Sequence, residues 1–358
     1  MHEFELIHRY FAPLAAGFPG GLNLTDDAAI LDIPAGQQLI VTKDAISRGI
    51  HFIGNEEPAL IARKLLRTNL SDLAAMGAAP LCYFLSLSLP FRHARACEST
   101  IRASTDPRTP LCGAEDDVAK WLASFASGLA SDQKEFGIHL AGGDTTSSEN
   151  DLTLSITAMG LAPRGAALRR SGAKPGDGIY VSGTLGDSAL GLPLISSPSQ
   201  GEDKGGGYTS NPYNHSNPHP VPLPEREREF LISRYLLPQP RLELGMKLRG
   251  IATSCMDISD GLVQDLGHIC KASGVGAVIH AAALPLSDAA RKQPGHLEAA
   301  LSGGDDYELL FTSQHEVSAL ELPCSVTRIG EITAAGGVVV LDSHGKELAL
   351  QKQGFQHF

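Results

Sequence analysis

The sequence predicts an α/β (α+β) protein of two domains, and three observations carry that prediction. Its 358 residues are enough for about two average domains. With 42% hydrophobic residues, each domain can bury a core of its own. Segments with the period-two, β-branched look of strands are mixed with helical stretches, without regular strand–helix–strand alternation. Such a mixture favours two sandwich-like α/β domains, over 1–160 and 161–358, with the boundary near Gly160.

In chain order, residues 38–44 and 152–160 read as strands. Between them Asn55, Glu56, Glu57 and Pro58 offer a capping residue, early acids and an early proline, and open a helix to about Met76. From Leu73 to Phe91 there are 19 uncharged positions, long enough to raise a membrane span. Pro80, Pro90, Gly77 and the alternation Leu85-Ser86-Leu87-Ser88-Leu89 read better as a helix end, a turn and a half-buried strand. The second half repeats the mixture: a strand at 178–183, a helix from Ser259, a strand near 307–312 and a last strand at 337–341.

Two stretches break the pattern. Residues 196–224 hold 18 Ser, Pro, Gly or Asn among 29, too few apolar side chains to offset the entropy of ordering, and read as a flexible surface insertion. Residues from about 92 to 116 are a weaker case, and neither stretch is expected to carry chemistry. Leu70-Ser71-Asp72 then Gly142-Gly143-Asp144 is echoed by Ile258-Ser259-Asp260 then Gly303-Gly304-Asp305, which suggests an internal repeat at unequal spacing.

Lys and Arg number 29 against 40 Asp and Glu, a net charge of −11, so no basic field exists to grip nucleic acid or an anionic membrane. A phosphate ligand would have to be met by metal ions, backbone amides or a few placed cations. The start, Met1-His2-Glu3-Phe4-Glu5, lacks a secretory pattern, so the expected location is the cytoplasm. Six cysteines (82, 97, 112, 255, 270, 324) form no C-x-x-C and suit reduced, mostly buried thiols.

The distinctive feature is a series of aspartates among small residues: Asp26-Asp27, Asp44, Asp72, Asp144, Asp257 with Asp260, and Asp305-Asp306. Taken singly, an acid is usually solvated or caps a turn. Clustered in space, acids repel unless a hard cation lies between them, and Mg²⁺ takes carboxylates while keeping waters and substrate phosphates as further ligands. Asp44 ends an apolar strand and Asp72 sits in an apolar helical stretch, so these two resist the solvated reading best. Gly142-Gly143-Asp144-Thr145-Thr146 either lets backbone amides approach phosphate or makes a glycine turn between strands. His51 is either a satisfied, half-buried histidine or a substrate contact. Arg169-Arg170 is either a solvated face or a phosphate-binding pair. No G-x-x-x-x-G-K-[ST], G-x-S-x-G or H-E-x-x-H occurs, which removes P-loop enzymes and the commonest hydrolases.

Taken in order, ten segments resemble one family along the whole chain apart from the two insertions. They are Asp26-Asp27-Ala28-Ala29, Thr42-Lys43-Asp44, Gly49-Ile50-His51-Phe52, 69–78 (Asn69 to Ala78), 142–146, 170–177, Gly186-Asp187-Ser188-Ala189, Asp257-Ile258-Ser259-Asp260-Gly261-Leu262, 303–309 (Gly303 to Leu309) and Gly354-Phe355-Gln356-His357-Phe358. This ordered set is similar to the thiamine-monophosphate kinases, of the aminoimidazole ribonucleotide synthetase superfamily. The resemblance implies an N-terminal ATP- and Mg²⁺-binding domain that pairs in a homodimer and a C-terminal α/β sandwich domain. It implies ATP-dependent phosphorylation of thiamine monophosphate to thiamine diphosphate.

Carried over by position, Asp27, Thr42, Asp44, Asp72, Asp144, Asp257 and Asp260 would be metal ligands, with Lys43 contributing its main-chain carbonyl. Gly143, Asp144, Arg170 and Ser259 would meet ATP, and His51, Asp305 and Phe355 the thiamine phosphate. Three positions depart from the family pattern: Thr25 for a glycine, Lys43 for a Thr or Ser, and Phe355 for a Tyr or Trp. The acceptor's phosphate has a second pKa near 6, so it is a nucleophile at neutral pH and no general base is required. The competing readings are weaker. A selenophosphate synthetase would need a reactive residue early in the chain, where the first cysteine is Cys82, and a hydrogenase-maturation relative would end in a cysteine, where this chain ends in His357-Phe358. A catalytically silent relative would have lost the ligand acids.

Overall fold

The computed structural model describes residues 3–90, 115–148, 152–196, 223–317, 320–334, 336–350 and 354. The chain divides into two compact units: 1–73 with 79–164, and 74–78 with 165–358. Most of each composition-based insertion, 92–114 and 197–222, lies outside the described residues, as do Cys97, Cys112 and Phe355.

The first unit begins with two short helical turns, Glu3–Leu6 (α1) and Ala12–Ala15 (α2). Its sheet has four strands in the order β1-β4-β2-β3: Gln37–Ser47 (β1), Ala79–Pro90 (β2), His139–Ser148 (β3) and Thr153–Pro163 (β4). β1 and β2 both run antiparallel to β4, whereas β2 and β3 are parallel. A parallel pair needs a crossover, and the helix Glu115–Phe136 (α4) supplies it. Pro58–Ala75 (α3) links β1 to β2. Leu65, Leu66, Leu70 and Leu73 of α3, Leu122, Phe125 and Leu129 of α4, and Leu154, Ile156 and Ala158 of β4 are fully buried, so one face of the sheet carries the core. The alternate row is open: Val41 is 53% exposed, and Lys43, Ala45 and Ser86 are exposed with it. Between the helices Arg67 donates to Asp132 from Nε and Nη2 at 2.7 and 3.0 Å.

The second unit is a six-stranded sheet in the order β10-β7-β9-β5-β8-β6. Its strands are Gly178–Ser182 (β5), Ser254–Asp257 (β6), Gly276–His280 (β7), Leu309–Ser313 (β8), Val326–Thr333 (β9) and Gly337–Leu341 (β10). Only β10 and β7 are parallel. The helices are Asp187–Ser196 (α5), Glu225–Leu236 (α6), Leu242–Lys247 (α7), Leu262–Ser273 (α8), Asp288–Arg291 (α9) and His296–Ser302 (α10). Ile179, Val181, Ile258, Leu262, Leu266 and Ile269 anchor its main apolar cluster, with Leu301 of α10 and Ile329 of β9. A smaller cluster joins Leu194, Leu231 and Ala289 of α5, α6 and α9.

Most sequence-derived elements recur within a few residues, and two expectations are corrected. The helix expected from Ser259 starts at Leu262, because the Ser259, Asp260 and Gly261 amides donate to a side chain instead. Of the two readings of Gly142-Gly143 the turn is excluded: both lie inside β3, where a Cβ at Gly143 would sit 2.0 Å from the Leu85 carbonyl oxygen. Nor is the internal echo a structural repeat, since 70–72 is helix where 258–260 is loop, and 142–144 is strand where 303–305 is loop. Among the described residues no helix is long and apolar enough to cross a membrane, and the uncharged run 73–91 is divided between α3 and β2. Cys82, Cys255 and Cys270 are buried free thiols and Cys324 is half-buried.

Candidate active site

In the first unit, the alternation of β1 turns Thr42 and Asp44 toward α3. Thr42 Oγ1 donates to Asp72 Oδ2 at 2.5 Å, and Asn69, one helical turn earlier, accepts the Asp44 amide on Oδ1 at 3.1 Å. Asn69 is itself held by donating to the Leu65 carbonyl at 2.9 Å. Burial first, and the neighbouring Asp72 charge second, push the Asp44 carboxyl up to about 6. Among the described residues Asp44 forms no ion pair. Two acids brought together in this way, with a hydroxyl beside them, are a hard oxygen donor set of the kind a divalent cation takes.

Lys43 points to the opposite face of the sheet. Its Nζ donates to Ser155 Oγ at 2.7 Å, and Ser155 Oγ donates on to the Asp44 carbonyl at 2.9 Å. His51, in the turn after β1, accepts the Ser47 amide on Nδ1 at 3.2 Å, which assigns the proton of the neutral ring to Nε2. Its carbonyl accepts from Lys64 Nζ at 3.3 Å.

Not every predicted ligand joins this group. Asp144, on β3, the edge strand opposite β1, pairs in register with Ser86 of β2 and lies three strand spacings or about 14 Å from Asp44. Asp44 shares its rung with Ile156, Leu85 and Gly143, so Asp144 belongs to the other side-chain row, with Ser86. Asp27 lies in an exposed bend, its amide donating to Asp26 Oδ1 at 3.1 Å. Thr25, just before it, donates from Oγ1 to the Leu22 carbonyl at 2.7 Å.

In the second unit, Asp257 ends β6 at 4% exposure, and Ser259 and Asp260 occupy the loop that follows. The segment 303–308 lies against that loop. The Asp305 and Tyr307 amides donate to the Ser259 and Ile258 carbonyls at 2.8 Å each, and the Ile258 amide donates to the Glu308 carbonyl at 2.9 Å. Asp305, far from Ser259 and Asp260 in sequence, is thus their neighbour. Asp305 and Tyr307 both have left-handed φ, +65° and +51°, a conformation that costs a non-glycine residue of order 1–3 kcal/mol and persists only where surroundings impose it.

Here the surroundings are two buried acids on either side of Tyr307. Asp306 accepts the Gly186 amide on both oxygens at 3.1 and 2.9 Å, and burial holds its carboxyl well above the usual range despite that bond. Glu308, fully buried, accepts from Arg241 at 2.6 and 2.7 Å, from Arg234 at 2.8 Å and from Ser182 at 2.5 Å. Burial alone would raise its pKa; the two guanidiniums and the hydroxyl outweigh it, and the net shift is downward.

Arg170 is exposed, its carbonyl accepting from Ser273 Oγ at 3.5 Å, while the Arg169 carbonyl accepts the Cys255 amide at 2.8 Å and pins this segment beside β6. Phe355 lies outside the described residues, but Gly354 is placed: a Cβ there would lie 2.5 Å from Gln264 Oε1 and 2.8 Å from the Asp260 carbonyl oxygen. The chain therefore reaches the Asp260 loop immediately before Phe355. Sequence reasoning passed over Asn69, Asp265 and the Glu308–Arg234–Arg241 group. Asp265 did leave a signal, an acid in the first turn of a helix that follows a glycine, where amides lack helical partners.

Two family models match the chain: AIR synthase related protein, N-terminal domain, over residues 25–162, and AIR synthase related protein, C-terminal domain, over residues 174–343. The thiamine-monophosphate kinase of Escherichia coli (strain K12) is 38% identical over 366 aligned positions, covering 99% of this chain and 98% of that protein. The crystal structure of thiamine-monophosphate kinase from Stenotrophomonas maltophilia K279a is 38% identical, covers 91% of each chain and superposes with a TM-score of 0.70. AaThiL complexed with AMPPCP and TMP is 29% identical with a TM-score of 0.69, covering 93% of this chain and 91% of that one. The fold, the motif order and these full-length similarities agree, and the chain belongs to the thiamine-monophosphate kinase family, built of two AIR synthase related domains.

Proposed function

We propose that this chain transfers the γ-phosphoryl group of ATP to thiamine monophosphate, giving thiamine diphosphate and ADP. The observation that carries the reading is the Thr42–Asp44–Asp72 group, two acids and a hydroxyl brought together as the kind of hard oxygen donor set a divalent cation takes. The relative solved with AMPPCP and TMP supports an ATP-type nucleotide and thiamine monophosphate as the two substrates.

We assign Mg²⁺ as the metal. Thr42, Asp44, Asp72 and the Lys43 carbonyl would hold one ion in the first unit, Asp27 and Asp144, which stand apart from them, would serve further ions, and Asp257 and Asp260 would hold metal in the second unit. When bound, several such ions cancel charge between two polyanions and favour in-line transfer. The remaining roles fall to this chain's own groups. Gly143 exposes backbone to a phosphate, Arg170 offers a guanidinium, and Ser259 meets the nucleotide. His51, with its proton assigned to Nε2, presents a donor suited to the acceptor's phosphate. Asp305 and Phe355 suit a cationic thiazolium, as counter-charge and aromatic face. No residue is needed as a base, because the attacking phosphate oxygen is already ionised above about pH 6.

We further infer a cytoplasmic homodimer that pairs through the first unit, a reading supported by the open row of its sheet where Val41 is 53% exposed. Light scattering on the purified protein tests it; a monomer at micromolar concentration overturns it.

Incubation with ATP, Mg²⁺ and a panel of phosphate esters, with products identified by mass, tests the activity. Thiamine monophosphate should gain one phosphoryl group. Phosphorylation of free thiamine at an equal rate would overturn the acceptor assignment. His51→Asn should raise the KM for thiamine monophosphate with little effect on turnover; a fall of about 10²-fold in turnover would instead mark His51 as a base. Phe355→Ala should weaken thiamine monophosphate by about 1–2 kcal/mol and leave ATP affinity nearly unchanged.

A further inference from the structure

The loop that carries Ser259 and Asp260 is organised by a carboxylate outside it. β6 ends at Asp257 and α8 begins at Leu262, and beyond Ile258, whose amide bonds the Glu308 carbonyl, the amides of Ser259, Asp260 and Gly261 have no ladder or helical partner. All three donate to a single atom, Asp265 Oδ2, each at 3.1 Å. Amides that converge in this way form a concave cradle for an anion, and here the protein supplies the anion itself.

Asp265 sits in the first turn of α8 at 1% exposure, and its own amide donates back to the Gly261 carbonyl at 2.9 Å. The cradle also requires Gly261, whose φ is +128° and whose place a Cβ could occupy only by approaching the Ser302 backbone to 2.9 Å. On the other side of the loop the Ile258 and Ser259 carbonyls accept the Tyr307 and Asp305 amides. One buried oxygen thus sets the amides of a loop whose carbonyls carry the Asp305 segment.

We propose that Asp265 is a positioning residue: through its three N–H bonds it holds Ser259 and Asp260 for the nucleotide and, through the same loop, Asp305 for the acceptor. This rests on the reading of Ser259 and Asp260 as nucleotide and metal contacts. Ligand atoms of Asp260, Asp265 and His268 also lie within 4.8 Å of one another, so direct metal ligation by Asp265 is the alternative that the test must separate.

Positioning needs an acceptor oxygen at residue 265, whereas ligation needs its charge. The full-length enzyme is assayed at varied ATP, thiamine monophosphate and Mg²⁺ as Asp260→Asn, Asp265→Ala and Asp265→Asn, with amide hydrogen exchange followed at residues 259–261. Asp260→Asn should raise the Mg²⁺ requirement or the ATP KM about ten-fold. Asp265→Ala, which strands three donors, should raise the ATP KM about ten-fold and the thiamine monophosphate KM several-fold, with faster exchange at 259–261. Asp265→Asn retains an oxygen acceptor and should stay within about three-fold of wild type. If Asp265→Ala does not fold, Asp265→Ser is read in the same assays.

Equal damage in Asp265→Asn and Asp265→Ala would overturn the proposal in favour of the charge. A lower melting temperature with unchanged KM values and unchanged exchange at 259–261 would overturn it in favour of a merely structural role. An Asp260→Asn variant with wild-type ATP and Mg²⁺ dependence would overturn the underlying site reading, and the positioning role with it.

Discussion

Asp44 in the first unit and Glu308 in the second are carboxylates withdrawn from bulk water, yet the protein treats the two in opposite ways. Glu308 is met by two guanidiniums and a hydroxyl, so its charge is matched within the fold and its pKa falls. The Asp44 carboxyl is buried and faces a second acid, Asp72, so burial first and like charge second raise its pKa to about 6. A buried acid that arrives with its cations is framework. One that faces another acid is suited to ligate a cation from solution, and this difference separates the candidate metal site from Glu308, which anchors the Asp305 segment.

The largest expected effect is on turnover. Asp44→Asn and Asp72→Asn should each lower it by about 10³-fold or more, because each removes charge from the cation site. Neither should unfold the protein, and the metal-free melting temperature should hold or rise as the like-charge contact disappears. Wild-type rates at saturating Mg²⁺, measured by ADP release, would break the comparison from the first side.

Glu308→Gln should do the reverse, acting on stability before chemistry. It leaves the guanidiniums of Arg234 and Arg241, 12% and 19% exposed, without their counter-charge, and should cost about 3–5 kcal/mol in chemical denaturation. Adding Arg241→Met should recover part of that loss. A Glu308→Gln protein as stable as wild type would show that the charge matching is not what holds the 303–308 segment.

The smallest effects concern pH, and their signs oppose. The raised pKa of Asp44 means its protonated form is favoured by folding. Its contribution to metal-free stability is present below the ordinary 3.8 and is lost as pH rises through about 6. Asp44→Asn should therefore gain on wild type by up to about 3 kcal/mol between pH 4 and 7. Glu308, lowered from 4.5, contributes stability above that value and loses it as pH falls through its depressed pKa. The gap between wild type and Glu308→Gln should accordingly shrink in acid. Parallel pH trends for the two variants would erase the distinction.

Local pattern made much of the architecture legible. The strand expected at 337–341 is β10 with the same bounds, and those at 38–44 and 178–183 fall on β1 and β5 to within a few residues, because period-two alternation and turn residues are local signals. Pattern erred where a distant group outbid a local preference. The helix expected from Ser259 starts three residues later, because the amides of 259–261 serve Asp265 instead.

The candidate site divides in the same way. By itself the sequence determined that this is an acidic, two-unit α/β chain with an ordered series of aspartates among small residues, since charge, periodicity and motif order need no knowledge of what lies across the fold. Only the tertiary structure decided which acids meet. Strand order puts Asp44 and Asp144 on opposite edges of one sheet, the register gives them different side-chain rows, and α3 alone brings Asp72 to Thr42. Likewise nothing local to Glu308 announces that it gathers two arginines, and the first-turn place of Asp265 hints at free amides without saying that three of them meet on one oxygen. Electrostatic interactions depend on distance in space, and distance in space is set by long-range strand pairing and helix packing, which leave little trace in the neighbouring sequence.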